Sequence, residues 1–400
     1  MSLPRLVRSS PDLARLVNEG YAVRIESGHL VVEDVPFVTA GKQVRRGAMI
    51  CPLDLIGDLT AKPANHVMWF AGGVPCDKHG AELDGMIHQR GHLDLAPGLA
   101  ADCSFSMKPS PAGYANFYDK VVTYVNLVAG HAQAVEPGAT AMTFRPIAAD
   151  DGESVFRYLD TASSRAGITA HTGRLALSRV AVVGLGGTGG YLLDFLAKLP
   201  IGELHLYDGD VFATHNAFRG PGAASIEELR EGLAKVDYYA RRYDPMRRAI
   251  IPHPVYVTQD NVDELLAMDF VFLAMDSGDD KKVIVDRLSA SPVAFIDTGI
   301  GLLSSPAGLG GLVRVTTSLP GHRGHLDEGR LISYAEGGGD EYESNIQVAE
   351  LNAQAAVGAV IAFKKHYLFY RNDGHELHSL YSVAGNYIVN AYPAGPDTAP

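Results

Sequence analysis

Cysteine is scarce in this chain, with three residues among 400. Cys51, Cys76 and Cys103 cannot supply a disulfide framework, and no CxxC pair occurs, so a four-cysteine zinc site is excluded and no zinc is expected. No run approaches the roughly 20 apolar residues that cross a bilayer, and the first residues lack the apolar core of a signal peptide. We therefore expect a cytoplasmic protein that makes no membrane contact.

Basic residues are also in short supply, since 34 Lys and Arg face 46 Asp and Glu, for a net charge of −12. An acidic chain repels phosphate backbones, so nucleic acid is not an expected partner. Hydrophobic residues make up 46% and charged residues 20%, which is ordinary for a globular protein, and a length of 400 residues suits two domains.

The composition and the predicted elements of the chain change near its middle. Residues 1–145 hold every cysteine and the single tryptophan, and their short mixed elements predict an α+β domain of unknown role. A linker is predicted over 136–154. From 150 to 400, apolar strands alternate with helices, which predicts an α/β domain with a doubly wound, mostly parallel, Rossmann-like sheet covered on both faces.

Local patterns predict individual elements within these domains. The N-terminal expectations are a helix between Ser10 and Gly20, a hairpin at Ser27-Gly28 and a helix over 114–130. The C-terminal expectations are one helix over 225–243 with a Ser225–Glu228 capping box, a flexible loop over 321–330 and a long helix over 345–370.

A glycine-rich loop joins the first strand of the second domain to a helix, and its glycines are Gly184, Gly186, Gly187 and Gly189. Glycine lets the backbone approach a phosphate, and the helix start offers free N–H groups to an anion. Asp208 ends the next strand, where a carboxylate holds the ribose of either NAD or ATP. These residues alone leave both nucleotides open.

Charged side chains further along favour a triphosphate. They are Asp208 and Asp210, the N-x-x-R pair Asn216 and Arg219, Lys235 in the next predicted helix, and Asp276 at the predicted end of a strand. Cations neutralise phosphate oxygens, and carboxylates hold Mg²⁺ through its waters. A hydride-transfer site has little use for this mixture.

This ordered set resembles the ubiquitin-activating-like superfamily (ThiF/MoeB/HesA), which includes adenylyltransferases of thiamine and molybdopterin biosynthesis. The resemblance implies ATP and Mg²⁺ as ligands and the C-terminal glycine tail of a ubiquitin-like protein as substrate. The tail carboxylate then attacks the α-phosphate and pyrophosphate leaves.

Residue roles follow from the same resemblance. The glycine loop, Asp208 and Asp210 shape the nucleotide site, with Asp208 on the ribose. Asn216, Arg219 and Lys235 bind phosphates, and Arg219 and Lys235 stabilise the developing charge. Asp276 positions Mg²⁺. Arg165 is expected to reach the active site of a neighbouring subunit, which makes the protein a homodimer.

The chain departs from the best-known members at Gly220, where glutamine is usual, and at Ser277, where asparagine is common. No cysteine follows residue 103, so a thioester cannot form at the usual downstream place. Cys76 is the best internal candidate, because Lys78 and His79 beside it are expected to lower its pKa.

The N-terminal half resembles a region fused to activating-type domains in bacterial gene clusters that encode ubiquitin-like systems. This implies a conjugation or sulfur-transfer-like pathway with a conjugating-enzyme-like partner, and antiphage defence as one setting. Three alternatives stay open: adenylation of a substrate peptide in modified-peptide biosynthesis, an NAD-dependent oxidoreductase, and a non-catalytic scaffold.

Overall fold

The computed structural model describes residues 3–149, 152, 154–276, 278–329, 331–334 and 346–393. The chain divides into two compact units, Met1–Thr169 and Ala170–Pro400. Among the described residues, no helix is long and apolar enough to cross a membrane.

The N-terminal unit is built on an antiparallel sheet with the strand order β1-β2-β3-β6-β8-β7. Its core joins this sheet to a long helix, and Phe37, Phe70 and Phe105 of the strands contact the same buried cluster as Tyr124 of the helix. The elements are α1 (Leu3–Ser9), α2 (Pro11–Asn18), β1 (Val23–Glu26), β2 (His29–Val38), β3 (Val44–Pro52), β4 (Leu55–Ile56), β5 (Leu59–Thr60), β6 (Val67–Ala71), β7 (Ile87–Ala96), β8 (Leu99–Ser106), α3 (Phe117–Val135) and α4 (Thr161–Arg165).

Turn and cap chemistry explains where these elements begin and end. Ser27 and Gly28 have φ angles of 47° and 76°, so both adopt the left-handed conformation that a tight hairpin requires, and the predicted hairpin is confirmed. The predicted helix over 114–130 is α3, whose first turn is capped by Asn116. Ser10 precedes α2 as predicted, but its hydroxyl accepts from the N–H of Thr60 at 3.0 Å instead of capping the helix.

The C-terminal unit holds a larger sheet with the strand order β11-β10-β9-β12-β13-β14-β15-β16. Pairing is parallel from β11 to β13 and antiparallel from β13 to β16, so the predicted mostly parallel sheet is confirmed. The elements are α5 (Thr169–Gly173), β9 (Arg179–Val183), α6 (Gly187–Leu196), β10 (Glu203–Tyr207), α7 (Thr214–Ala217), α8 (Ile226–Glu231), α9 (Lys235–Tyr243), β11 (Ile250–His253), a 3₁₀ helix (Val262–Ala267), β12 (Phe270–Leu273), α10 (Asp279–Ser289), β13 (Ala294–Ser305), β14 (Gly308–Ser318), α11 (Gly324–Gly329), α12 (Ala349–His366), β15 (Glu376–Ser382) and β16 (Tyr387–Pro393).

Both faces of the central strands are buried, because side chains alternate between two cores. Val180 and Val182 of β9 share one core with α6, α9 and α12. Ala181 and Val183 share the other with α10 and the 3₁₀ helix. This two-sided burial confirms the doubly wound arrangement.

The single helix predicted over 225–243 is wrong, because the chain forms α8 and α9 instead. Gly232 is left-handed, with φ 64°, and stops α8, while Ala234 forms a β-bridge with Val211. Lys235 is therefore the first residue of α9 and not a residue inside a longer helix. The Ser225–Glu228 capping box at the start of α8 is confirmed.

The flexible loop predicted over 321–330 is also wrong for the residues described there. The Arg323 guanidinium donates to the carbonyls of Ser291 at 2.9 Å and Val293 at 2.7 Å, and the buried His325 ring lies 2.9 Å from the carbonyl of Thr317. These contacts anchor the segment to the domain body.

The long helix predicted over 345–370 is shorter than expected and corresponds to α12. Asn345, the first residue of that prediction, lies outside the described residues, as do residues 335–344 immediately before it. Beyond α12, the antiparallel strands β15 and β16 pair with each other at the edge of the sheet.

Candidate active site

A cleft of about 600 Å³ opens at the carboxyl ends of β9 and β12. The chain runs from β9 outward to β11 on one side and then crosses over to β12 and β13 on the other. Ligands of open α/β sheets bind at such a switch point. The predicted residues that line the cleft are Gly184, Gly186, Gly187, Asp208, Asp210, Arg219, Lys235 and Asp276.

The glycine loop needs its glycines because of close backbone approach. Gly184 has φ 88°, and a Cβ there would lie 2.5 Å from the carbonyl oxygen of Ala274, just past β12. A Cβ on Gly189 would lie 1.8 Å from the Gly184 carbonyl oxygen, so the close packing of α6 against the loop requires glycine there. Gly189 itself does not line the cleft. Gly186 is the N-cap residue of α6 and has no side chain that could cap the first N–H groups of the helix. The loop and helix start thus form an anion-binding arrangement.

Asp208 ties this loop to the cation on α9. One carboxylate oxygen accepts from the N–H of Leu185 at 2.6 Å and lies 3.3 Å from Lys235 Nζ, and the other accepts from the N–H of Asp210 at 2.9 Å. Asp208 and Lys235 are 7% and 6% exposed. The proposed contact of Asp208 with ribose would have to share these hydrogen bonds, and it stays a prediction.

Asp210 is the nearer partner of Lys235, with 2.6 Å between Oδ2 and Nζ. Burial alone would raise the pKa of Asp210, but hydrogen bonds from Lys235 and Tyr256 outweigh it and lower the pKa below its ordinary value. The Asp210 side chain is 50% exposed, so this carboxylate is able to turn to water when another anion binds Lys235.

Asn216 and Arg219 present buried donors. Asn216 is 1% exposed; its Oδ1 accepts from the N–H of Ala213, while its Nδ2 has no hydrogen-bond partner in the described part of the chain. Arg219 Nε likewise lacks one among the described residues. Arg219 Nη2 lies 3.9 Å from where a Cβ on Gly186 would stand, so the guanidinium reaches the glycine loop. Asn216 does not line the cleft.

The glycine at position 220 also has a local reason. A Cβ on Gly220 would lie 2.7 Å from the Tyr239 hydroxyl and 3.1 Å from the Asn216 carbonyl oxygen. The buried Tyr239 of α9 occupies the space that a larger side chain would need. The presence of Tyr239 therefore explains why position 220 holds glycine and not the usual glutamine.

Asp276 lines the cleft with an exposed side chain, together with Asp279 and Asp280. It was expected to end a strand, but β12 ends three residues earlier, at Leu273. Asp276 therefore lies on the loop that follows the strand. Ser277 lies outside the described residues. The described part of the chain contains no group of three or more His, Cys, Asp or Glu side chains arranged to hold a metal ion.

A buried ion network that was not predicted from the sequence includes Lys281, which lines the cleft. Asp297 of β13 is 0% exposed and pairs with Lys281 Nζ at 2.7 Å and with the Arg314 guanidinium. Arg314 also donates to the Thr316 hydroxyl, which lies 3.0 Å from His378 Nδ1. The only available signal was a lysine five residues after Asp276. Tertiary pairing of β13 with β14, and of β14 with β15, brings the other members together.

Asn352 of α12 also lines the cleft and was not anticipated. It is a buried polar residue in a helix whose other buried residues are apolar. A buried polar side chain in such a helix requires hydrogen-bond partners, so an asparagine at this position in the sequence could have indicated a polar contact.

Two predicted residues lie in the N-terminal unit. Arg165 ends α4, with its guanidinium 5.7 Å from the centre of the Phe144 ring, and its role in a neighbouring subunit stays a prediction. Cys76 is 1% exposed. Burial, followed by the charges of Glu82 and Asp77, raises the pKa of its thiol, so the expected lowering by Lys78 and His79 is wrong.

All three thiols are expected to resist alkylation in the folded protein. Burial raises the pKa of Cys51 to about 11 and that of Cys103 to about 12, which leaves little thiolate at pH 8. Iodoacetamide at pH 8 should label the native chain at less than about a tenth of the rate seen in guanidinium chloride. Mass spectrometry of each cysteine peptide measures this, and rapid native labelling of Cys76 would contradict it.

Fold and cleft together define a domain of the doubly wound α/β class with a cleft at its topological switch point. Residues 163–327 match the ThiF family, so this part of the chain is a ThiF family domain, and the predicted resemblance is confirmed. Residues 11–161 match a domain of unknown function, DUF6791.

Among curated proteins, the chain is similar to the tRNA threonylcarbamoyladenosine dehydratase of Escherichia coli (strain K12), at 29% identity over 129 residues. The match covers 30% of this chain and 46% of that protein, so the chain spans less than half the length of this relative.

Among solved structures, PaaA with selenomethionine is similar at 18% identity, over 56% of this chain and 75% of that one, with a TM-score of 0.43. E. coli MccB with MccA-N7isoASN is similar at 14% identity, over 60% of this chain and 71% of that one, with a TM-score of 0.46.

Proposed function

We propose that the C-terminal unit is an ATP-dependent adenylyltransferase that acts on the C-terminal carboxylate of a ubiquitin-like protein. A carboxylate oxygen forms a bond to the α-phosphorus of ATP, while the bond from that phosphorus to the bridging oxygen of pyrophosphate breaks. Pyrophosphate leaves with the bonding electron pair. The carboxylate is ionised at neutral pH, so this reaction needs orientation and charge stabilisation but no general base.

The observation that carries the proposal is the presence of Arg219 and Lys235 in one cleft with the glycine loop. A buried donor without an acceptor is costly, and Arg219 Nε is one among the described residues. A phosphate oxygen would satisfy it. Lys235 would exchange its ion pair with the half-exposed Asp210 for a phosphate. Two cations that face the same cleft suit a triphosphate better than a dinucleotide.

Asp276 would hold Mg²⁺, which prefers oxygen ligands and keeps several waters. Its exposed carboxylate lines the cleft, and Asp279 and Asp280 add negative charge nearby. Since the described residues offer no three-residue metal group, phosphate oxygens and water would supply the remaining ligands. The bound ion would neutralise charge on the phosphates.

The partners belong to the same proposal. They are a ubiquitin-like protein with a glycine tail, a conjugating-enzyme-like protein, and a second copy of this chain that receives Arg165. A bacterial conjugation pathway, with antiphage defence as one setting, is the proposed context. The match of residues 163–327 to the ThiF family supports the activating chemistry, and the identity of the tail rests on the sequence resemblance.

ATP–pyrophosphate exchange in the presence of candidate tails tests the proposal. The full chain with Mg²⁺ should exchange label from pyrophosphate into ATP only when a tail with a free C-terminal carboxylate is present, and the C-terminally amidated tail is the matched control. Exchange with short substrate peptides but not with ubiquitin-like tails would show that the substrate is a peptide and not a ubiquitin-like protein. Tight binding of NADH without binding of ATP would overturn the adenylation proposal.

A further inference from the structure

Asn352 connects three segments around the cleft through one side chain. It lies in the first turn of α12 and is 1% exposed. Its Oδ1 accepts from the Thr188 hydroxyl at 2.9 Å, and its Nδ2 donates to the backbone carbonyl of Arg219 at 3.2 Å. Asn352 therefore joins α12 to the start of α6 and to the loop that carries Arg219.

Gly187 provides the room for this connection. A Cβ at Gly187 would lie 2.0 Å from Asn352 Nδ2 and 2.7 Å from the Arg219 carbonyl oxygen. Any larger residue would displace the amide, the arginine loop or both. The third glycine of the loop thus serves the contact between Asn352 and Arg219 as well as the approach of a phosphate.

The backbone of Arg219 is held on both sides. Its N–H donates to the carbonyl of Asn216 at 3.2 Å, and its carbonyl accepts from Asn352. The guanidinium has no such restraint at Nε among the described residues, so the direction of the side chain depends on how firmly the backbone is held. A group that stabilises charge acts best when it is fixed before the reaction.

We infer that Asn352 is a positioning residue for Arg219, and that the phosphate-binding arginine is set in place only when α12 is docked on the glycine loop. This inference rests on the proposed function, since it takes Arg219 as a phosphate ligand. An amide is required because the position needs both a donor and an acceptor. Aspartate has nearly the same shape but only accepts, so it would face the Arg219 carbonyl with a second acceptor.

The test compares Asn352→Asp with Gln354→Glu, the same amide-to-acid change two residues along α12. For the full chain, Asn352→Asp should lower kcat for ATP–pyrophosphate exchange by about 10- to 100-fold, because a small displacement of a catalytic group is costly. Gln354→Glu should stay within about twofold of the wild type, since it leaves the Arg219 loop untouched. Equal rates for both variants would overturn the inference.

A double-mutant cycle with Arg219→Ala separates positioning from general damage. If Asn352 acts through Arg219, the effect of Asn352→Asp should largely vanish when the guanidinium is absent. A full additional loss in the double variant would overturn the inference. Thr188→Val, which removes the other half of the contact, should show a smaller loss of the same kind and guards against misfolding of Asn352→Asp.

A second readout does not depend on the reaction. Hydrogen exchange of the peptide that spans residues 214–222 should be faster in Asn352→Asp than in Gln354→Glu, with α9 unchanged. Unchanged protection of that peptide would overturn the inference even if the wild type exchanges pyrophosphate. A wild type without exchange, but with the expected change in protection, would instead contradict the proposed function alone.

Discussion

Arg219→Ala is expected to lower ATP–pyrophosphate exchange by about 100-fold or more, the usual loss when one donor to a developing anion is removed. The guanidinium reaches the glycine loop and carries a buried Nε that the described protein groups leave unpaired. Alanine removes that donor and its charge from the cleft. Initial rates of exchange at saturating ATP and tail, with ATP affinity measured separately by calorimetry, distinguish a lost transition-state contact from lost binding.

Arg230→Ala is the matched control, because Arg230 is an exposed arginine of α8 and does not line the cleft. It should leave exchange within about twofold of the wild type. Arg219→Lys should recover only part of the loss, since a lysine keeps the charge but not the planar set of donors. Exchange unchanged in Arg219→Ala would remove this residue from the active site.

Asp297→Ala is expected to reduce the free energy of unfolding by about 3–5 kcal/mol, the usual cost of removing one member of a buried ion pair. Asp297 is fully buried between Lys281 and Arg314, so alanine would leave the buried Lys281 and the partly buried Arg314 without their shared counter-ion. Burial, with the charges of Arg314 and His325, lowers the pKa of His378 to about 4, so this neighbour stays neutral at pH 7 and adds no third positive charge.

Urea unfolding followed by far-UV circular dichroism measures this loss. Asp263→Ala is the control, because Asp263 pairs with Arg287 on the surface, where an ion pair contributes little. Its unfolding midpoint should hardly move. A loss below about 1 kcal/mol for Asp297→Ala would mean that Lys281 and Arg314 find other partners or reach water.

Much of the fold was predictable because local chemistry determines it. The hairpin at Ser27-Gly28, the capping box at Ser225 and the alternating strand and helix pattern each depend on residues close together in the chain. Errors arose where distant contacts override local preference. The helix predicted over 225–243 is interrupted because Ala234 bridges to Val211, and the 321–330 segment is anchored because Arg323 finds distant carbonyls.

The candidate site shows the same division. The glycine loop and Asp208 were found because strand ends of a parallel sheet converge on one edge. Arg219 and Lys235 lie on a loop and at a helix start, and their roles were predicted from the resemblance to the ubiquitin-activating-like superfamily. Cys76 was misjudged because a thiol's pKa depends on burial, which neighbours in sequence do not report.

The sequence by itself therefore determined the alternation of strands and helices, the glycine loop and the carboxylate of Asp208 at a strand end, because these follow from periodicity and strand-end geometry. Only the tertiary structure decided that Asp297 pairs with the buried Lys281 and the partly buried Arg314, and that Asn352 links α12 to Arg219. Both contacts join residues far apart in the chain, and hydrogen bonds and ion pairs of this kind form only after packing has excluded water and brought their partners together.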